Sequence, residues 1–124
     1  MNAETIDFFS KKPKALPLYE AFQARVCSEL ADVHIKVQKS QIAFSNRHGF
    51  AAVWLPIRKM KNRPEICIIV TFGLPQRIES TRIAEAVEPY PMRWTHHVII
   101  KDPEDIDDEL MGWIKRSYQF SMEK

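Results

Sequence analysis

The sequence predicts an α+β fold of two layers: about five mostly antiparallel strands, with an N-terminal and a C-terminal helix packed on one face. Helical apolar patterns lie near both ends of the chain, and short strand-like segments fill residues 35–100 between them. Two helices that each have one apolar side need a common surface to cover, and one face of a small sheet provides it. The length of 124 residues fits a single α+β domain over residues 1–124.

The N-terminal helix is predicted from Leu16 onward. Pro13 and Pro17 fall at its beginning, where a missing backbone N–H is tolerated. From there, apolar residues recur at steps of three and four and form one stripe: Leu16, Tyr19, Phe22, Val26 and Leu30.

The strands are predicted from alternation. Segments 35–37, 42–45, 50–57 and 94–101 alternate in polarity or end at turn residues, and a turn at 46–49 separates two of them. The run from Ile66 to Val70 is apolar throughout, which is typical of a central strand covered on both sides.

Residues 73–93 are predicted to be a long connection, with a short helix over 80–87 that turns Ile83 and Val87 inward. The C-terminal helix follows the last strand. Asp102 is its predicted N-cap and Pro103 its first residue. Its apolar side is predicted to carry Ile106, Leu110, Trp113, Ile114, Ser117 and Tyr118.

Composition excludes several classes of protein. With 45% apolar and 27% charged residues and a net charge of +2, the chain resembles an ordinary globular protein. The longest apolar run, Ile66–Val70, is far too short to span a bilayer, so no membrane association is expected. The N-terminal residues lack the pattern of a secretory signal, and we therefore predict a cytoplasmic location. No cofactor-binding motif is present, so no cofactor is predicted.

His96 and His97 are adjacent, as metal ligands sometimes are. On a strand, however, neighbouring side chains point to opposite faces, and no Cys-x-x-Cys pair supports a zinc site. We therefore predict no metal. One alternative function is that of an enzyme in which His96 or His97 acts as general base. No catalytic residue is assigned, and a function other than catalysis is favoured.

Alternation also predicts a second, partly polar face of the sheet. If Val53 faces the helices, Trp54 faces away from them, together with His97. Aromatic, small and polar groups in combination build ligand pockets. The favoured function is therefore a small binding module for an anionic small molecule or a protein partner. The predicted contacts are Trp54, Arg93, His97 and Arg47.

Two other uses of these surfaces stay open. The loop 58–63 holds four cations, and with other basic residues it could contact phosphates. The residues of this nucleic-acid alternative are Lys36, Lys39, Arg58, Lys59, Lys61 and Arg63. The face that carries Trp54 could instead be sealed by residues 74–93 or by a second subunit, which would make the protein a homodimer.

Four segments resemble a bacterial family known only as domain of unknown function 5655. They are 39–44 (KSQIAF), 49–56 (GFAAVWLP), 88–98 (EPYPMRWTHHV) and 106–110 (IDDEL), followed by Trp113 and Tyr118. The resemblance extends from about Phe8 to Phe120, and the chain is more distantly similar to small iron-chaperone-like domains. It implies a bacterial domain that stands alone or is fused to others. It implies no activity, so no catalytic role is carried over.

Overall fold

The computed structural model describes residues 3–56 and 66–123. The helices in these residues are α1 (Ala3–Phe8), α2 (Leu16–Glu29) and α3 (Asp108–Met122), with short 3-10 helices at Pro13–Ala15 and Pro103–Asp105. The strands are β1 (His34–Val37), β2 (Ile42–Ser45), β3 (Gly49–Trp54), β4 (Ile68–Leu74), β5 (Ile83–Tyr90) and β6 (Arg93–Ile100).

The strands of the described residues form one antiparallel sheet in the order β1-β2-β3-β4-β6-β5. Strand β4 lies inside the sheet between β3 and β6, and Ile68, Ile69 and Val70 are all buried. Ile68 and Val70 face the helices, whereas Ile69 lies on the opposite face beside its register partners Trp54 and Ile99. The α+β class is confirmed, but the sheet has six strands where the sequence predicted about five.

The additional strand is β5, where the sequence predicted a short helix over 80–87. That prediction was wrong, and so was the inward placement of Val87, whose residue surface is 46% exposed. Alanine and glutamate favour a helix locally, but a segment this short is not stable as a helix alone. Pairing with β6, for example Ala86 with His96, instead satisfies its backbone groups on one side.

Both long helices cover the same face of the sheet, as predicted. Tyr19 and Phe22 of α2 contact the ring of Phe44 on β2. Trp113 of α3 stacks on Phe72 of β4, with ring centroids 5.8 Å apart. Phe44 and Phe72 are both register partners of Ala51 on β3, so they project from one face. The core therefore lies between this face and the helices.

The beginning of α3 differs from the prediction. Asp102 precedes the 3-10 helix, and the N-cap of α3 is Asp107, whose carboxylate accepts a hydrogen bond from the Leu110 N–H at 3.0 Å. Within the 3-10 segment, the Asp105 carboxylate accepts from the backbone N–H of Asp102. Asp102 and Asp107 therefore begin two separate elements, a short 3-10 helix and α3, where the sequence pattern suggested one continuous helix.

Candidate binding site

The two adjacent histidines lie on opposite faces of β6. His96 is fully buried on the helix-covered face, where its ring stacks on Phe72 at 5.1 Å. Its Nε2 accepts a hydrogen bond from the Ile78 N–H at 2.9 Å, and burial lowers the pKa of the imidazole. His96 is therefore a neutral structural residue out of reach of a substrate, which argues against its use as a general base.

His97 lies on the face of the sheet opposite to the helices, which also carries Ala43, Ala52 and Thr71 and which we call the open face. It belongs to a chain of hydrogen bonds that crosses the sheet. Trp54 Nε1 on β3 donates to Thr71 Oγ1 on β4 at 2.8 Å, and Thr71 Oγ1 lies 2.8 Å from His97 Nδ1. On the other side of the imidazole, Glu85 Oε1 on β5 lies 3.9 Å from Nε2. We call these four residues the relay. The rings of Trp54 and His97 meet edge to face, 5.7 Å apart.

Beside the relay lies a shallow cleft of about 250 Å³ on the open face, which we call the trough. Its floor is built from residues that are small or polar. They are Gln41, in the turn before β2, and the strand residues Ala43, Ala52, Thr71, Gly73 and Thr95. Phe120 of α3 also lines it, and the remaining lining residues come from the end next to α3: Gly49, Phe50, Ala51, Phe72 and Ser117. Thr71 therefore belongs both to the relay and to the trough, and it joins the two.

The trough exists because its floor lacks large side chains. A Cβ at Gly73 would meet its nearest neighbour, the Trp94 carbonyl oxygen, at 3.8 Å, which is ordinary contact, so glycine leaves space that a side chain would occupy. At the same end, Ser117 of α3 replaces strand pairing. Its hydroxyl donates to the Phe50 carbonyl at 2.6 Å and accepts from the Gly73 N–H at 3.1 Å.

Two cations flank the trough. Arg93 lies on the same face of β6 as Thr95, and its guanidinium carbon is 5.7 Å from the centroid of the Phe120 ring. Lys36 on β1 is the register partner of Ala43, so it projects from the open face at the other margin. Phe120 and Ala43 both line the trough, which places a positive charge near each side of it.

The structure brings together two of the four residues that the sequence nominated. Trp54 and His97 are in contact. Arg93 is on the same face but roughly 13 Å from His97 along the strand, at about 3.3 Å per residue. Arg47 lies in the exposed turn between β2 and β3. None of the four nominated residues is among the described residues that line the trough.

Sequence reasoning missed Thr71, Gly73 and Phe120 as site residues. Thr71 carried the one available signal, because it is the first polar residue after the apolar run that ends at Val70. The position of Phe120 depends on where the end of α3 meets the sheet, and alternation along a strand does not encode that.

The nucleic-acid alternative falls mostly outside the described residues. Arg58, Lys59, Lys61 and Arg63 all lie there. Lys36 and Lys39 are described and exposed. Lys39 is in the turn between β1 and β2, and Lys36 flanks the trough. This alternative therefore stays a prediction.

A second cleft, of about 400 Å³, lies beside α1 and the start of α2, lined by residues that include Ile6, Phe9, Pro13 and Leu16. Its walls are mostly apolar side chains. The trough is smaller but has several hydroxyl and amide groups on its floor, the feature that orients small ligands.

Within residues 3–56 and 66–123 the structure has neither a metal-binding cluster nor a membrane-spanning helix. No group of three or more histidine, cysteine, aspartate or glutamate side chains is placed to hold a metal ion. No helix in the same ranges has the length and apolar character needed to cross a bilayer.

The fold and the trough define a two-layer α+β domain with one covered and one open sheet face. Comparison with known families then identifies the chain: residues 5–121 match the model of the family described as domain of unknown function (DUF5655), and the chain belongs to that family. Comparisons with curated proteins and with solved structures found no match.

Proposed function

We propose that this protein is a small binding module and that the trough is its binding site. The observation that carries the proposal is the coincidence of a cleft with a polar floor group, the Thr71 hydroxyl, which two neighbouring strands hold in place through Trp54 and His97. A side chain whose direction is fixed by its neighbours is preorganised for recognition.

The dimensions of the trough favour a small molecule. Its volume of about 250 Å³ is slightly below the usual range of roughly 300–1,000 Å³ for ligand pockets. The floor of Ala43, Ala52 and Gly73 is flat enough for a planar ligand, and Phe120 provides an aromatic edge. Thr71 and Thr95 supply hydroxyl groups that fix the orientation of such a ligand.

The charges around the trough favour an anion. Arg93 is held against the Phe120 ring, a cation–π arrangement that orients the planar guanidinium fork. Lys36 flanks the opposite margin. A carboxylate or phosphate group in the trough would therefore lie between two cations. We propose such a small anionic molecule as the ligand and a bacterial cytoplasmic protein as its carrier. A protein that inserts an acidic side chain is the alternative partner.

A ligand screen by thermal shift tests the proposal, because a ligand that binds only the folded state raises Tm. Three proteins are compared: wild type, Ala52→Leu, which fills the trough floor, and Ala24→Leu, which adds the same atoms on the exposed side of α2. We expect hits that stabilise wild type and Ala24→Leu but not Ala52→Leu. Hits that stabilise all three proteins equally would place the binding site elsewhere.

A second candidate function is chemistry with His97 as general base. The contact that favours it is the 2.8 Å separation of His97 Nδ1 and the Thr71 hydroxyl, which lies within proton-transfer reach. A base must be neutral to accept a proton, so such an activity would rise with pH. Hydrolysis of an activated ester that rises with pH and is lost in His97→Gln would support it. Equal hydrolysis by wild type and His97→Gln would contradict it.

A further inference from the structure

The positions of the protons in the relay follow from the chemistry of its members. An indole N–H only donates, so the Thr71 oxygen accepts from Trp54 and must direct its own hydrogen elsewhere. His97 Nδ1 lies 2.8 Å away and accepts it when it carries no proton. The proton of the neutral imidazole is then on Nε2, on the side where Glu85 provides a carboxylate.

Protonation of His97 reverses the direction of one of these hydrogen bonds. The imidazolium donates from both ring nitrogens, so Nδ1–H now donates to Thr71 Oγ1. The Thr71 oxygen accepts from Trp54 and from His97, and its own hydrogen must turn away from both. Thr71 lines the trough, so this hydrogen becomes available to a molecule bound there.

We infer that the trough binds an oxyanion of the carboxylate type against the Thr71 hydroxyl, and that His97 takes up one proton as the anion binds. The inference rests on the proposed function and names the ligand class of the same site. While His97 is neutral, the Thr71 hydroxyl donates its hydrogen to His97 Nδ1 and cannot donate it to a ligand. In the protonated state the trough gains both a hydrogen-bond donor and a nearby positive charge, and each favours an anion.

The groups that residues 3–56 and 66–123 place close to His97 are compatible with this coupling. Glu85 on β5 lies at Nε2, across the imidazole from Thr71, so it can stabilise the imidazolium without contacting the ligand. Trp54 on β3 and Thr71 on β4 are uncharged. On β6 itself, Arg93 is roughly 13 Å away along the strand, and burial lowers the pKa of His96, which lies on the opposite face.

Benzoate is a suitable probe, because it is planar and because it is ionised throughout the pH range of the experiment. Benzamide is its neutral counterpart of the same shape. Binding of both is measured by NMR titration between pH 5.5 and 8.5. Above the midpoint of the His97 titration, we expect the Kd of benzoate to rise by up to about tenfold per pH unit, since one proton is taken up per anion. The Kd of benzamide should not change with pH.

The effect of benzoate on the titration of His97 supplies a second measurement. If protonation favours the anion, the anion must favour protonation by the same factor. Benzoate should therefore move the midpoint of the His97 titration to higher pH, as followed by the ring carbon signals. Thr71→Val, which removes the hydroxyl but keeps the shape, should weaken benzoate binding and reduce this shift. Thr71→Ser keeps the hydroxyl and should retain both.

Three outcomes overturn the inference. Ring nitrogen shifts in the free protein at high pH could show the neutral proton on Nδ1, which contradicts the first step. Benzoate could bind with a Kd that is independent of pH. Benzoate could also fail to bind at millimolar concentration at pH 5.5. In each case the proposal that the trough is a binding site would survive if another ligand bound wild type but not Ala52→Leu, so the two failures are distinguishable.

Discussion

The two faces of the sheet are made by the same strands but have opposite chemistry. The helix-covered face carries large apolar side chains, including Phe44, Val53, Val70 and Phe72, all of which are buried. The open face carries small or polar side chains along the trough, with Trp54, Ile69 and Ile99 further along the strands, and it holds both the relay and the trough. Adjacent residues such as His96 and His97 therefore lie in different surroundings, because a single step along a strand moves the side chain from the core to the opposite face.

This difference separates the positions that stabilise the fold from those available for binding. Substitutions on the covered face should change the free energy of unfolding, whereas substitutions on the open face should change ligand binding and leave the fold intact. The expected effects on the free energy of unfolding decrease in the order Trp113, Ser117, Ala51 and His96.

Trp113→Ala should have the largest effect. The indole is 8% exposed, stacks on Phe72 and lies under the Arg82 guanidinium. Its removal leaves a cavity between α3 and the sheet, which should lower the free energy of unfolding by about 3–5 kcal/mol. Chemical denaturation measures this. A midpoint equal to that of wild type would show that the covered face does not depend on this contact.

Ser117→Ala should have the next largest effect. The buried hydroxyl partners both the Phe50 carbonyl and the Gly73 N–H, and both backbone groups lose that partner in the variant. Leaving buried groups unsatisfied should cost on the order of 2–3 kcal/mol in the free energy of unfolding. Ser121→Ala is a matched control on the same helix, because its hydroxyl donates only to the Tyr118 carbonyl. An equal effect of the two substitutions would contradict the bridging role of Ser117.

The neighbouring alanines Ala51 and Ala52 compare the faces directly. Ala51 is buried under the helices, so Ala51→Leu should overpack the core and cost about 1–3 kcal/mol. Ala52→Leu adds the same atoms on the open face and should change the free energy of unfolding by less than about 0.5 kcal/mol. Thermal or chemical denaturation of the two variants measures both changes in the free energy of unfolding. A larger loss in Ala52→Leu would reverse the assignment of the faces.

The smallest effect should be a dependence on pH that comes from His96. Burial lowers the pKa of this imidazole in the folded state, while its unfolded value is about 6.5. The unfolded chain therefore binds a proton first, and the free energy of unfolding should fall as pH falls from about 7 toward 5. His96→Gln should remove this part of the slope, and His97→Gln should retain it. A slope unchanged in His96→Gln would contradict the account.

Much of the fold could be predicted because it depends on local patterns. The stripe from Tyr19 to Val26 and the alternation around Trp54 fix which side of each element faces the core, so they predicted the fold class and the covered face of the sheet. Strand β5 could not be predicted in this way, because Ile83 and Val87 fit a helix and a strand equally well, and only pairing with β6 decides between them.

The candidate site could be predicted in part for the same reason. Alternation placed Trp54 and His97 on one face, but the contact of both with Thr71 depends on the register across three strands. Long-range register is not encoded in the spacing along one strand. The contact between Arg93 and Phe120 likewise requires the position of the end of α3.

The most direct test of the central claim is a fragment screen followed by mapping of amide signals in 15N–1H spectra of the wild-type protein. If the open face is the binding surface, the signals that move should cluster at Ala43, Ala52, Thr71 and Thr95, and they should stay unmoved in Ala52→Leu. Signals that cluster instead around Ile6 and Leu16, beside the second cleft, or a screen without any bound fragment, would contradict the claim that the trough is the site.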